Sequence, residues 1–209
     1  MISRIIETDA DVVEGADWLA ENVPEFKAAL ALTGPLPLRR RAGGFENLLN
    51  AIIGQQVSIA SAQAIWGRMQ AAGLTQEDAV LAVDDDALKA CGLSRQKVLY
   101  TRALEESRVD YQGLVGMSDQ AVIERLIKIK GIGRWTAEVY VMFSLGRADV
   151  FAPGDLALQE AAREVFGLPA RPNEAALRKM ALGWSPWQGV AARGLWAYYR
   201  LMKNREGIR

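Results

Sequence analysis

LIKIKGIGRWTAEVYVMFSLGRADVFAPGD, from Leu126 to Asp155, begins as the end of an amphipathic helix and turns sharply through Gly131-Ile132-Gly133. It re-enters a helix at Arg134-Trp135-Thr136-Ala137 and closes on Pro153-Gly154-Asp155. A Gly-x-Gly between two apolar helices predicts a tight hairpin, because glycine accepts positive φ and lets a partner approach the backbone. Backbone N–H groups at the start of the second helix have no intrahelical acceptor, which makes that turn an anion site. Lys128, Lys130 and Arg134 surround it. The anion this pattern points to is a nucleic-acid phosphate.

Outward from the hairpin, the chain reads as helices. Phe45, Leu48, Leu49, Ile52 and Ile53 recur at the spacing of one helix face. Ser58 is placed to cap a helix running to about Ala72, and Thr75 with Asp78 resembles a capping-box start. Further helices are expected at Asp9 to Asn22, from Pro24, and at Asp86 to Cys91. Ser94 to Ser107, Ser118 to Ile129, Asp155 to Phe166, Asn173 to Leu182 and Trp187 to Met202 complete the expected set. A short extended piece is expected at Asp149 to Ala152. No strand alternation, repeat or linker stands out, so the residues alone predict an all-α globule.

The bulk properties narrow the class. The 209 residues suffice for a sizeable core, and no run approaches the roughly 20 apolar residues of a membrane span. The amino terminus lacks the basic-then-apolar layout of a signal peptide, and the single Cys91 permits no internal disulfide. A soluble, cytoplasmic protein is therefore expected. The 25 basic and 25 acidic residues cancel, which argues against a globally basic DNA-binding module. The distribution is uneven: Arg171, Arg178, Lys179, Arg193, Arg200, Lys203, Arg205 and Arg209 face only Glu174 and Glu206 across the last 39 residues. The first 25 residues hold seven acids against Arg4. This asymmetry suits one nucleic-acid face.

The hairpin, Trp135-Thr136-Ala137, and a Pro-Gly-Asp about twenty residues on together resemble the helix-hairpin-helix DNA glycosylase superfamily. Within it they are similar to the alkylation-repair branch, the DNA-3-methyladenine glycosylase II type. The resemblance runs from about Phe45 to Trp196. It implies two helical lobes with a central cleft inside one domain. Lobe A would take about residues 1–58 plus 146–209, and lobe B, carrying the hairpin, about 59–145. It also implies a compact form, because the β-rich amino-terminal domain of some members has no counterpart.

The resemblance assigns catalysis to Asp155. Cleaving an N-glycosidic bond builds positive charge on the deoxyribose, which a fixed carboxylate stabilises while it orients or deprotonates water. The same aspartate, before Leu156-Ala157-Leu158, also reads as a helix cap, and the two roles are compatible. Strand-nicking members carry a lysine where this chain has Trp135. Tryptophan cannot form a Schiff base, and Arg134 stays protonated, so a monofunctional enzyme is expected. One cysteine excludes the iron–sulfur cluster of several relatives. Histidine is absent, so the leaving base must be activated some other way. Purines such as 3-methyladenine or 7-methylguanine already carry positive charge and leave without a proton.

A flipped base needs aromatic or apolar walls. Trp196 matches a pocket position of the family, Trp135 and Tyr140 are further candidates, and a family aromatic falls here on Val139. Trp184 and Trp187 read as core. Gln55-Gln56-Val57-Ser58 resembles the segment that wedges into the minor groove, with Gln56 at the wedge; it also reads as an ordinary polar helix end. Arg39-Arg40-Arg41 reads either as a phosphate contact or as a solvated run, the solvated reading being favoured. The implied DNA-binding set is Gln55, Gln56 and Ser58 with Lys128, Lys130, Gly131, Ile132, Gly133, Arg134 and Thr136. Carbonyls of Ile127, Ile129 and Ile132 would share a monovalent cation with a phosphate. No organic cofactor or catalytic metal is implied. The expected partner is damaged double-stranded DNA, bound by a monomer. A catalytically silent DNA-binding module, or a glycosylase for oxidised or deaminated bases, remains an alternative.

Overall fold

Short-range capping sets most helix starts in the computed structural model, which describes residues 2–206. In chain order the α-helices are α1 (Asp9–Asn22), α2 (Pro24–Thr33), α3 (Phe45–Gly54), α4 (Ile59–Ala71), α5 (Glu77–Leu81) and α6 (Asp85–Ala90). They continue as α7 (Arg95–Glu106), α8 (Asp119–Leu126), α9 (Arg134–Phe143), α10 (Leu156–Val165), α11 (Glu174–Ala181) and α12 (Gln188–Glu206). Ser58, Ser94, Ser118 and Asn173 each accept a backbone N–H from the first turn of the following helix. The start of α5 differs from expectation. It begins at Glu77 with Gln76 at the cap and no side-chain bond, so Thr75 does not cap it. No strand forms at Asp149 to Ala152; the one backbone bridge among the described residues pairs Ile5 with Arg147. No helix among the described residues is long and apolar enough to cross a membrane. Arg209 and the side chain of Arg205 lie outside the described residues.

The chain forms two compact units. One joins Met1–Arg40 with Val141–Arg209, and the other is Arg41–Tyr140, so the second boundary falls inside α9. The expected first boundary near residue 58 moves back to Arg40. The cause is α3, whose apolar face (Phe45, Leu48, Leu49, Ile52, Ile53) is buried and packs on α7 and α4.

In the unit containing both termini, α12 packs on α10, α2 and α1. The α1 approach is close: a Cβ on Gly15 would lie 2.6 Å from Val190 and 2.7 Å from the Trp187 ring. Trp184 stacks on Phe166 and meets Phe26 and Phe151 edge-on. Trp184 and Trp187 are both core, as their sequence context predicts. Arg193 is fully buried in α12 and donates to the carbonyls of Gly189 (2.7 Å) and Leu38 (2.9 Å).

In the 41–140 unit, α8 stops at Leu126, three residues before its expected end. Ile129 N–H then bonds Leu126 C=O, and Ile132 N–H bonds Ile129 C=O, both at 3.0 Å, carrying the chain through two tight turns. Gly131 sits at φ +96, in the region that costs other residues strain. A Cβ there would also lie 2.4 Å from the Tyr100 ring of α7. Gly133 needs neither freedom: its φ is not positive and a Cβ would meet open space. We therefore predict that Gly131→Ala lowers unfolding free energy by about 2–4 kcal/mol, from strain plus overpacking. Gly133→Ala should cost less than about 1 kcal/mol. Urea denaturation of the two variants beside wild type checks the contrast.

Candidate DNA interface and active site

The hairpin turn is anchored from below and open above. Ile129 and Ile132 are buried, while Lys128, Lys130, Gly133 and Arg134 are exposed. Arg134 pairs with Glu138 one turn along α9 (3.7 Å), and the Glu138 side chain is buried. Gln55 holds the turn from the side, its Nε2 donating to the Gly131 carbonyl at 2.8 Å. Gln56 follows at φ +55 and is exposed. A non-glycine residue in this region is uncommon and marks a backbone constrained by its surroundings. Ser58 is exposed, and its hydroxyl caps α4 by accepting from Ser61 N (3.2 Å). Of the carbonyls expected to share a cation, that of Ile129 already accepts from Ile132 N.

Beside the turn lies a cavity of about 890 Å³, lined entirely by the 41–140 unit. Trp135, Thr136, Val139 and Tyr140 of α9 line it together with Gln55, Val57 and Trp66, and with Glu46, Asn47 and Asn50 from α3. Three of the four expected base-pocket residues, Trp135, Val139 and Tyr140, are thus brought together. Trp135 is 45% exposed, an unusual placement for so large an apolar ring. Tyr140 is buried, and its hydroxyl accepts from Gly44 N at 2.8 Å. Burial pushes its pKa above the usual phenol range, and the Gly44 bond opposes this. Trp66 was not foreseen. Its signal was a tryptophan on α4 beside, not on, the buried stripe of Ile65 and Met69.

Asp155 and Trp196 belong to the other unit. Asp155 is half-buried at the N-cap of α10, its Oδ1 accepting from Ala157 N (2.8 Å) and Leu158 N (3.1 Å). The preceding loop is held too. Asp155 N–H bonds Ala152 C=O at 3.0 Å, and buried Gln159 donates to Pro153 C=O at 2.8 Å. The carboxylate therefore has one oxygen fixed by the helix start. Trp196 is half-buried, its ring 5.7 Å from that of Phe143, with the Arg39 guanidinium 5.8 Å from its centroid. The arginine run is consequently not simply solvated. Arg39 lies over Trp196, Arg40 donates to Ser144 C=O (2.9 Å), and Arg41 lines the cavity of the 41–140 unit. Arg39 and Arg40, with burial as the larger cause, draw the Arg193 pKa down to about 10. The expectation failed because cation–π and carbonyl contacts of a basic run depend on tertiary neighbours. No cluster of three or more His, Cys, Asp or Glu side chains fit to hold a metal occurs among the described residues.

Residues 49–186 match the HhH-GPD superfamily of base excision DNA repair proteins, and the chain belongs to that superfamily. It is 30% identical to DNA-3-methyladenine glycosylase 1 of Schizosaccharomyces pombe, over 79% of this chain and 76% of that protein. Among solved structures, a DNA-3-methyladenine glycosidase from Bacillus halodurans superposes with a TM-score of 0.81 at 34% identity, covering 96% of this chain and 94% of the other. The S. pombe 3-methyladenine DNA glycosylase Mag1 in complex with abasic DNA gives 0.77 at 27% identity, covering 88% and 95%.

The cap geometry of Asp155 carries its own prediction. Asp155→Ala removes the acceptor of two N–H groups and should lower stability by about 1 kcal/mol. Asp155→Asn keeps an acceptor oxygen and should stay within a few tenths of wild type. Chemical denaturation of both variants measures the difference.

Proposed function

We propose that this protein is a monofunctional DNA glycosylase that excises alkylated purines of the 3-methyladenine and 7-methylguanine type, leaving an abasic site. The observation that carries the reading is the Asp155 carboxylate, held at a helix N-terminus at the end of the Pro-Gly-Asp loop. The names of the relatives support the substrate class, and Mag1 was solved with abasic DNA, the product such a reaction leaves.

In this reading the hairpin binds phosphate through the N–H groups at the start of α9, with Lys128, Lys130 and Arg134 supplying charge. Gln56 fills the gap left by the flipped nucleotide, and its amide can hydrogen-bond the orphaned base. Trp135, Val139 and Tyr140 wall the extruded base. As the C1′–N bond breaks, its electron pair leaves with the base, so a purine already cationic departs neutral. Positive charge develops on the sugar. A carboxylate about 4 Å away at an effective dielectric near 20 stabilises it by about 4 kcal/mol. That corresponds to roughly a thousandfold in rate. Water then adds at C1′, its proton passing to Asp155 or to solvent. Histidine plays no part, since the chain has none. With tryptophan at position 135, no amine attacks the sugar, and the strand stays intact.

The test is product analysis after incubation with methylated duplex DNA. Chromatography should show free 3-methyladenine and 7-methylguanine, and strands should break only after alkali. Borohydride should trap no protein–DNA adduct. Release of oxidised or deaminated bases instead would move the substrate class, and a trapped adduct would refute the monofunctional assignment.

A further inference from the structure

Lys97 has no place in the reaction above, yet it is 7% exposed in α7, which is rare for a lysine. Its ammonium donates to the carbonyl of Ile53 in the last turn of α3. That carbonyl is one of the four a helix end leaves without an intrahelical donor. A cation there also meets the negative end of the helix dipole. Burial pulls the Lys97 pKa below the ordinary lysine range, because desolvation disfavours its charged form.

Just beyond Ile53 the chain makes the turn that faces the hairpin. Gln55 N–H bonds Ile52 C=O (3.2 Å), the Gln55 side chain crosses to Gly131, and Gln56 turns at φ +55. One turn along α7 from Lys97, the Tyr100 ring lies against Gly131. A single helix therefore braces both the end of α3 and the glycine of the hairpin, and Gln55 ties the two together. We propose that Lys97 is a positioning residue for the Gln55–Gln56 turn, fixing the end of α3 so that Gln56 is presented in register with the hairpin. Its effect on catalysis rests on the reading that this turn enters the duplex; its effect on the turn does not.

Two measurements on Lys97→Met, which keeps length and apolar bulk, and on Lys97→Arg, which restores the donor, separate these claims. In the DNA-free protein, amide hydrogen exchange at residues 54–58 should rise about tenfold or more in Lys97→Met while α4 and α9 keep wild-type protection. Lys97→Arg should recover most of it. If the methionine variant does not fold, Lys97→Gln gives a milder loss of the same bond. Exchange that rises evenly across residues 41–140 would overturn the proposal by making Lys97 a general core residue. The second measurement is excision of 7-methylguanine from duplexes. Lys97→Met should fall about tenfold with cytosine opposite the lesion, and less than about threefold opposite an abasic position, where no partner base needs holding. Gln56→Ala should show the same pattern, and the double variant should be no worse than Gln56→Ala alone. Additive losses would overturn the coupling of Lys97 to Gln56. Failure of wild type to release any base would sink the glycosylase reading, and the exchange result would still decide the role of Lys97.

Discussion

The left-handed turn at Gly131 is the constraint on which the hairpin of the 41–140 unit depends. Only a residue without Cβ holds φ +96 with the Tyr100 ring packed against its Cα. From that point the chain gains its other fixed features. The Gly131 carbonyl receives Gln55, the buried Ile132 ties the turn to the core, and α9 begins three residues on. One wall of the cavity then arises from helical spacing, since Trp135, Thr136, Val139 and Tyr140 lie on adjoining positions of α9.

The parts of the fold written in local chemistry were legible. Ser58, Ser94, Ser118, Asn173 and Asp155 announce helix starts because their side chains bond N–H groups two or three residues away. The α3 stripe likewise reads directly as a buried face. Contacts across long stretches of chain were not legible. Gln55 to Gly131 spans 76 residues, Lys97 to Ile53 spans 44, and Arg40 to Ser144 spans 104. Each pairs a polar side chain with a backbone carbonyl, and carbonyls carry no sequence signature. The same reason hid the contacts of Lys97 and of Arg40.

The proposed chemistry divides between two kinds of support. The DNA-engaging residues are built around hairpin geometry in the 41–140 unit, where a strained Gln56 and an exposed Trp135 are retained at some cost in stability. The carboxylate of the other unit is held by an ordinary helix cap. A cap suits the role: the fixed oxygen sets the group's position without any need for a second titrating residue. It also means that the aspartate can be altered without dismantling the fold, so binding and bond cleavage are separable by experiment.

That separation gives the most direct test of the central claim, that Asp155 breaks the glycosidic bond. Single-turnover excision from a duplex bearing one 7-methylguanine should be compared for wild type and Asp155→Asn, with affinity for an abasic-analogue duplex measured on the same preparations. A rate lower by about a thousandfold with affinity within a few-fold of wild type is the predicted result. Equal excision by both proteins would contradict it and remove Asp155 from the chemistry.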